Sequence, residues 1–167
     1  EGENATFNLH INKTTTEAIT VTMKLSGISA GFDLDDIGSA LSATGATIAW
    51  KDEEAGTFTI TIPSGYGPGD IPFTLPIVTD AVYEGKEGYM LSIINTGGGA
   101  WIGGTSAKAE IIDSIPMPIL SLEDANETAG VAVEGGNAVY RRVLDKQPFG
   151  NITVTLEYTG DSGTVEG

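Results

Sequence analysis

The sequence contains no cysteine, which excludes disulfide staples, thiolate metal centres and thiol catalysis. Basic residues are scarce as well. Eight Lys and Arg stand against 23 Asp and Glu, with one histidine, for a formal net charge of −15. That surplus repels phosphate backbones and anionic headgroups, so no nucleic acid partner is expected. No apolar run approaches the roughly 20 residues of a membrane-spanning helix, and no membrane insertion is expected. The chain starts at Glu1 without methionine or signal peptide, and it is expected to be an excised piece of a larger protein. Catalysis has little to draw on. There is a lone His10 on the wet side of a strand and no Gly-x-Ser-x-Gly elbow, so no enzyme is expected.

What is present points to an all-β protein: 23 glycines, plentiful threonine, and runs in which valine and isoleucine alternate with polar residues. Phe7, Leu9 and Ile11 share one face, as do Ile19, Val21, Met23 and Leu25. The same period of two recurs at Ile48 and Trp50, at Phe58, Ile60 and Ile62, and at Ile71, Phe73, Leu75 and Ile77. It returns at Tyr89, Leu91 and Ile93 and at Ala107, Ala109 and Ile111. Seven such runs at short spacing, with no helical crossover long enough for a parallel sheet, predict an antiparallel β-sandwich over residues 1–115. Residues 31–37 break the rhythm. There Leu34, Ile37 and Leu41 fall at helical spacing, so a short helix capped near Asp33 is predicted, its three aspartates either capping the turn or reaching a cation. Trp50 is expected in the core and Trp101 over a sandwich end.

The stretch Thr79–Glu87 is the chemically distinctive one. Asp80, Glu84 and Glu87 fall within eight residues. Crowded carboxylates raise one another's pKa, and oxygen-only ligands on a flexible loop favour calcium, a solvated acidic loop being the plain alternative. Bound calcium would also relieve the chain's self-repulsion.

Past Ser114, two prolines at 116 and 118 mark residues 116–118 as a short linker, and the sequence then repeats itself. Glu134-Gly135-Gly136-Asn137-Ala138 matches Glu1-Gly2-Glu3-Asn4-Ala5, and Ile152-Thr153-Val154-Thr155-Leu156 matches Ile19-Thr20-Val21-Thr22-Met23, both at the same offset. Gly160 likewise matches Gly27. Fixed spacing is the mark of a tandem array, so residues 119–167 read as a partial second repeat, its first strands only. Arg142 stands where the first copy has Leu9. Three strands are marginal alone, so Ile119–Asp124 or its neighbours are expected to pack on the first sandwich or on a second copy by strand exchange.

Taken in order, Glu-Gly-x-x-Ala-x-Phe, Ile-Thr-Val-Thr, Thr-Ile-Pro-Ser-Gly, Asp-x-x-x-Glu-Gly-x-Glu-x-Tyr and Ala-x-Ile-Ile-Asp resemble the Calx-β domain. The pattern looks especially like the version repeated in giant bacterial adhesins of the repeats-in-toxin type. The resemblance spans most of residues 1–113 and restarts near 118. It implies an immunoglobulin-like sandwich that binds Ca2+ at one end, near junctions with neighbouring repeats, in an extracellular adhesin. By motif it carries calcium ligation to Glu1, Asp80, Glu84, Glu87 and Asp113, to Asp33 or Asp35, and to Glu134 in the partial copy. Thr79 and Ser114 replace acids often found there, which implies one to a few ions. The expected function is a structural extender. A ligand-binding module using Trp50, Trp101, Tyr66 and Tyr83 is the alternative.

Overall fold

The fold follows from which alternating runs find partners. The structure, a computed structural model, describes residues 1–29, 31–126 and 130–159. Among them there is no helix, and the strands are β1 (Asn4–Ile11), β2 (Ile19–Gly27), β3 (Ser42–Ala43), β4 (Thr47–Asp52), β5 (Thr57–Ile62) and β6 (Gly69–Pro76). They continue with β7 (Val82–Tyr83), β8 (Lys86–Thr96), β9 (Ser106–Ile112), β10 (Leu120–Asp124), β11 (Tyr140–Leu144) and β12 (Gln147–Pro148). One sheet has the order β4-β5-β2-β8-β9 and the other β1-β6-β3. Every pairing within them is antiparallel.

The period-two apolar faces of these sheets meet in one core. Val21, Met23, Leu25, Phe58, Ile60, Ile62, Tyr89, Leu91 and Ile111 come from the five-stranded sheet, and Ile71, Phe73 and Leu75 from the other. Phe58 lies 6.1 Å from Phe73 and Phe7 lies 6.3 Å from Tyr89, ring centre to ring centre, which ties the layers together. The result is the expected β-sandwich. One irregularity is local: the β2–β8 register shifts between Thr22 and Met23, and Thr22 is buried out of alternation.

The predicted helix at 34–41 does not form. The three-and-four spacing reflects three separate tasks instead. Leu34 sits over the Gly56 turn, Ile37 bridges to Ile77, and Leu41 packs against the core just before β3. An Asx turn holds the start of the segment, with the Asp35 amide donating to Asp33 Oδ1 at 2.7 Å. Aspartate side chains compete well with helical hydrogen bonding in such turns. Trp50 packs partly buried against the core, its indole N–H donating to the Ser39 carbonyl. Trp101 does not cover the sandwich end; it is 94% exposed.

The second copy is much less complete. β10 and β11 form a two-stranded antiparallel sheet, and β12 pairs in parallel with β7 of the first unit, where the Phe149 amide donates to the Tyr83 carbonyl. The expected packing of this segment on the first sandwich is therefore made by residues 147–149, not by β10. Residues 152–156 form no strand although they copy β2, because no described strand stands in for β5 and β8 on either side. Gly160 lies outside the described residues.

Candidate metal centre

The centre begins with one strand residue in the wrong environment. Glu87 has the same parity in β8 as Tyr89 and Leu91, so its side chain points inward, and it is 1% exposed. No N–H or hydroxyl donor reaches either carboxylate oxygen, and the polar group it meets is the Asp36 carboxylate, with which it shares a proton. A buried ionised carboxylate without a donor is costly, so such a group either keeps a proton or takes a counter-charge.

The loop after β2 closes over it. The Ile28 amide donates to the Gly88 carbonyl at 2.8 Å and the Gly88 amide to Ser29 Oγ at 2.6 Å, which lay the loop along the start of β8. Phe32 stacks on Tyr89 with ring centres 5.4 Å apart. Gly31, at φ 107°, makes the close approach possible: a Cβ there would stand 2.6 Å from Glu87 Oε1. Only glycine takes that backbone conformation readily. The loop then crosses to the other sheet, where the Val78 amide donates to the Asp36 carbonyl and the Gly38 amide to the Pro76 carbonyl, both at 2.8 Å. That crossing fixes Asp36 across the sandwich tip.

Three carboxylates converge as a result. Asp36, Glu84 and Glu87 each place an oxygen within 4.8 Å of the others'. Glu84 Oε2 is also buried without a partner. Burial, followed by the negative charges of Asp36 and Glu84, raises the Glu87 carboxyl from 4.5 to about 8. Burial is also the largest cause of upward shifts at Glu84, where the charges of Asp36 and Asp80 add to it, and at Asp36, where that of Asp33 adds to it. Beside the cluster opens a recess of about 260 Å3 lined by Asp33, Asp35, Asp36, Val78, Asp80 and Glu84.

The sequence-predicted acids fall into four groups. Glu84 and Glu87 are in the cluster, and Asp33, Asp35 and Asp80 line the recess. Glu1 and Asp113 are nearby but otherwise engaged. Glu1 Oε2 accepts from the Ser114 amide and hydroxyl. Asp113 Oδ2 accepts from the Glu84 amide at 2.7 Å, and its Oδ1 accepts from the Ile115 amide at 2.8 Å. Asp113 thus shapes the turn that presents Glu84. Glu134 is exposed and stands outside the cluster. Asp36 is the member that the resemblance does not single out; the crossing at Asp36, Ile37 and Gly38, a tertiary pairing with Pro76, Ile77 and Val78, selects it over Asp33 and Asp35. Glu87's burial, by contrast, was readable from its alternation with Tyr89 and Leu91.

Comparison of the chain with models of known protein families, with curated proteins and with solved structures finds no match. The site must speak for itself. One buried acid, two half-buried ones within reach and an acid-lined recess form a donor set of hard oxygens suited to a metal ion.

Proposed function

We propose that this chain is a calcium-stabilised structural extender, one unit and part of the next from a tandem array in a secreted bacterial cell-surface adhesin. The fold would be the immunoglobulin-like sandwich of Calx-β domains. The observation that carries the reading is Glu87, a buried carboxyl that no N–H or hydroxyl donor reaches, set among the carboxylates of Asp36 and Glu84. Calcium suits the site better than softer metals, since every donor is an oxygen and no histidine is among the clustered residues. Calcium–oxygen bonds of 2.3–2.6 Å put opposite ligands about 4.6–5.2 Å apart, which the 4.8 Å limit on this cluster accommodates. Asp36, Glu84 and Glu87 would hold the ion, and its charge would replace the proton that Glu87 otherwise retains.

The position of the cluster supports a stiffening role. Glu84 directly follows β7, the ledge on which β12 and Phe149 of the second unit hang. Fixing Glu84 fixes that ledge. Small-angle scattering of a protein carrying several of these repeats tests the idea: its longest dimension should be greater in calcium than in chelator, and equal lengths would remove the reading. A second reading, ligand binding, is favoured by Trp101 alone, since an indole 94% exposed is available for stacking on a sugar. A glycan-array signal that is lost in Trp101→Ala would select it.

A further inference from the structure

We infer that the outer edge of β1 is a strand-accepting surface, and that its occupant is β10 of a second copy of this chain. The inference makes no use of the acidic cluster.

The edge is open. β1 pairs only with β6 among the described strands. On that side Ala5, Phe7 and Leu9 face Leu75, Phe73 and Ile71, whereas Asn4 and Asn8 face Pro76 and Pro72, which have no N–H to give. The carbonyls of Pro72 and Pro76 point away from β1, accepting from the Thr44 and Gly38 amides. Antiparallel ladders alternate in this way, so the backbone N–H and C=O of Thr6, Asn8 and His10 point outward, with no backbone partner among the described residues. Such an edge is a template for another strand.

The internal repeat identifies the strand. β11 is the second copy of the last part of β1, and β10 lies along it in antiparallel register. The flanking bonds, Ala125 amide to Val139 carbonyl and Asp145 amide to Ile119 carbonyl, show that residues 139, 141, 143 and 145 turn their backbone groups toward β10. Subtracting the repeat offset gives 6, 8, 10 and 12, the set left free on β1. Transferred to β1, the register sets Leu120 opposite Ile11, Ser121 opposite His10, Leu122 opposite Leu9 and Glu123 opposite Asn8. The side chains agree. Leu9 and Ile11 are only half-buried, and Leu120 and Leu122 are exposed. In its own sheet Leu122 faces Arg142, whereas on β1 it would face Leu9. The exchange replaces the β10–β11 ladder with one of equal length on β1, and beyond that gives up the exposed Arg141–Glu123 ion pair, a contact of little worth.

The donor must come from another molecule. Ser114 is bonded to Glu1, at the far end of β1. From Ser114 the chain to Leu120 reaches at most about 21 Å, while the extended path from Glu1 to Ile11 covers about 33 Å. A chain's own β10 cannot lie on its own β1 in this register.

The test is sedimentation of the intact chain over a wide concentration range. Reversible self-association is expected, equal in calcium and in chelator, and Asn8→Pro should abolish it. That proline removes an N–H that β6 does not use and should leave the thermal melt of the chain unchanged. Since the native chain has no cysteine, Asn8→Cys and Glu123→Cys proteins can be mixed and oxidised, and a disulfide joining the two is expected. Monomers at every concentration would overturn the inference. So would association that Asn8→Pro leaves intact, or failure of the two cysteines to join.

Discussion

Residues 19–25 and 152–158 carry the same alternation, Ile-Thr-Val-Thr-Met-Lys-Leu in one and Ile-Thr-Val-Thr-Leu-Glu-Tyr in the other. The first is the central strand of a five-stranded sheet. The second forms no strand, and Leu156 and Tyr158 stand exposed. The difference teaches that a period of two specifies a face, while partners on both sides make it a strand. β2 is held by β5 and β8, and its apolar side chains close on Phe58 and Leu91. The copy has the pattern without the neighbours.

The contrast is sharpest in the energetics. Phe58→Ala should destabilise the first sandwich by about 3–5 kcal/mol, since a fully buried ring leaves a cavity. Leu156→Ala should change stability by no more than about 0.5 kcal/mol. Paired denaturant melts check both, and comparable losses would break the comparison.

A smaller effect is expected at the tip of the first unit, where a lid covers a buried acid. Gly31→Ala forces a Cβ onto Glu87 at a positive φ and should destabilise by about 1–2 kcal/mol. Calcium titration of the same variant should also show weakened binding, because the lid positions Asp36.

The third effect is in the pH dependence. Glu87 titrates near 8 in the fold against 4.5 ordinarily. Between those values the folded chain keeps a proton that the unfolded chain has lost, so stability in chelator is full below 4.5 and falls as pH rises toward 8. Thermal melts across that window should show the fall in chelator, with less of it in Glu87→Gln and in calcium. A flat profile in chelator would contradict the assignment.

Much of the sandwich was legible because its strands are half-buried and alternate cleanly: Phe58, Ile60 and Ile62 on one strand, Ile71, Phe73 and Leu75 on another. The bulge at Thr22 was not, since nothing in Ile-Thr-Val-Thr-Met distinguishes a register shift. The spacing of Leu34, Ile37 and Leu41 misled because three residues serving three different contacts can mimic one helical face. At the centre, the crowding of Asp80, Glu84 and Glu87 announced unusual acids, and parity with Tyr89 could have singled out Glu87. Asp36 depended on a bridge to Ile77 from the other side of the fold, information that no local window holds. Asp113 was legible as an acid at the right place, but its use by backbone amides arises from the turn at Glu84 and Gly85.

The proposal rests on a cation standing among Asp36, Glu84 and Glu87 in place of the Glu87 proton, and calorimetric melts of the native chain and Glu87→Gln, in calcium and in chelator at mildly alkaline pH, test it most directly. A ligand at a hundred times its dissociation constant adds about 2.7 kcal/mol, so calcium should raise the native melting temperature by several degrees. Glu87→Gln should lose that response, while melting in chelator at or above the native protein. Identical native melts with and without calcium, or a full calcium response retained by Glu87→Gln, would contradict the account.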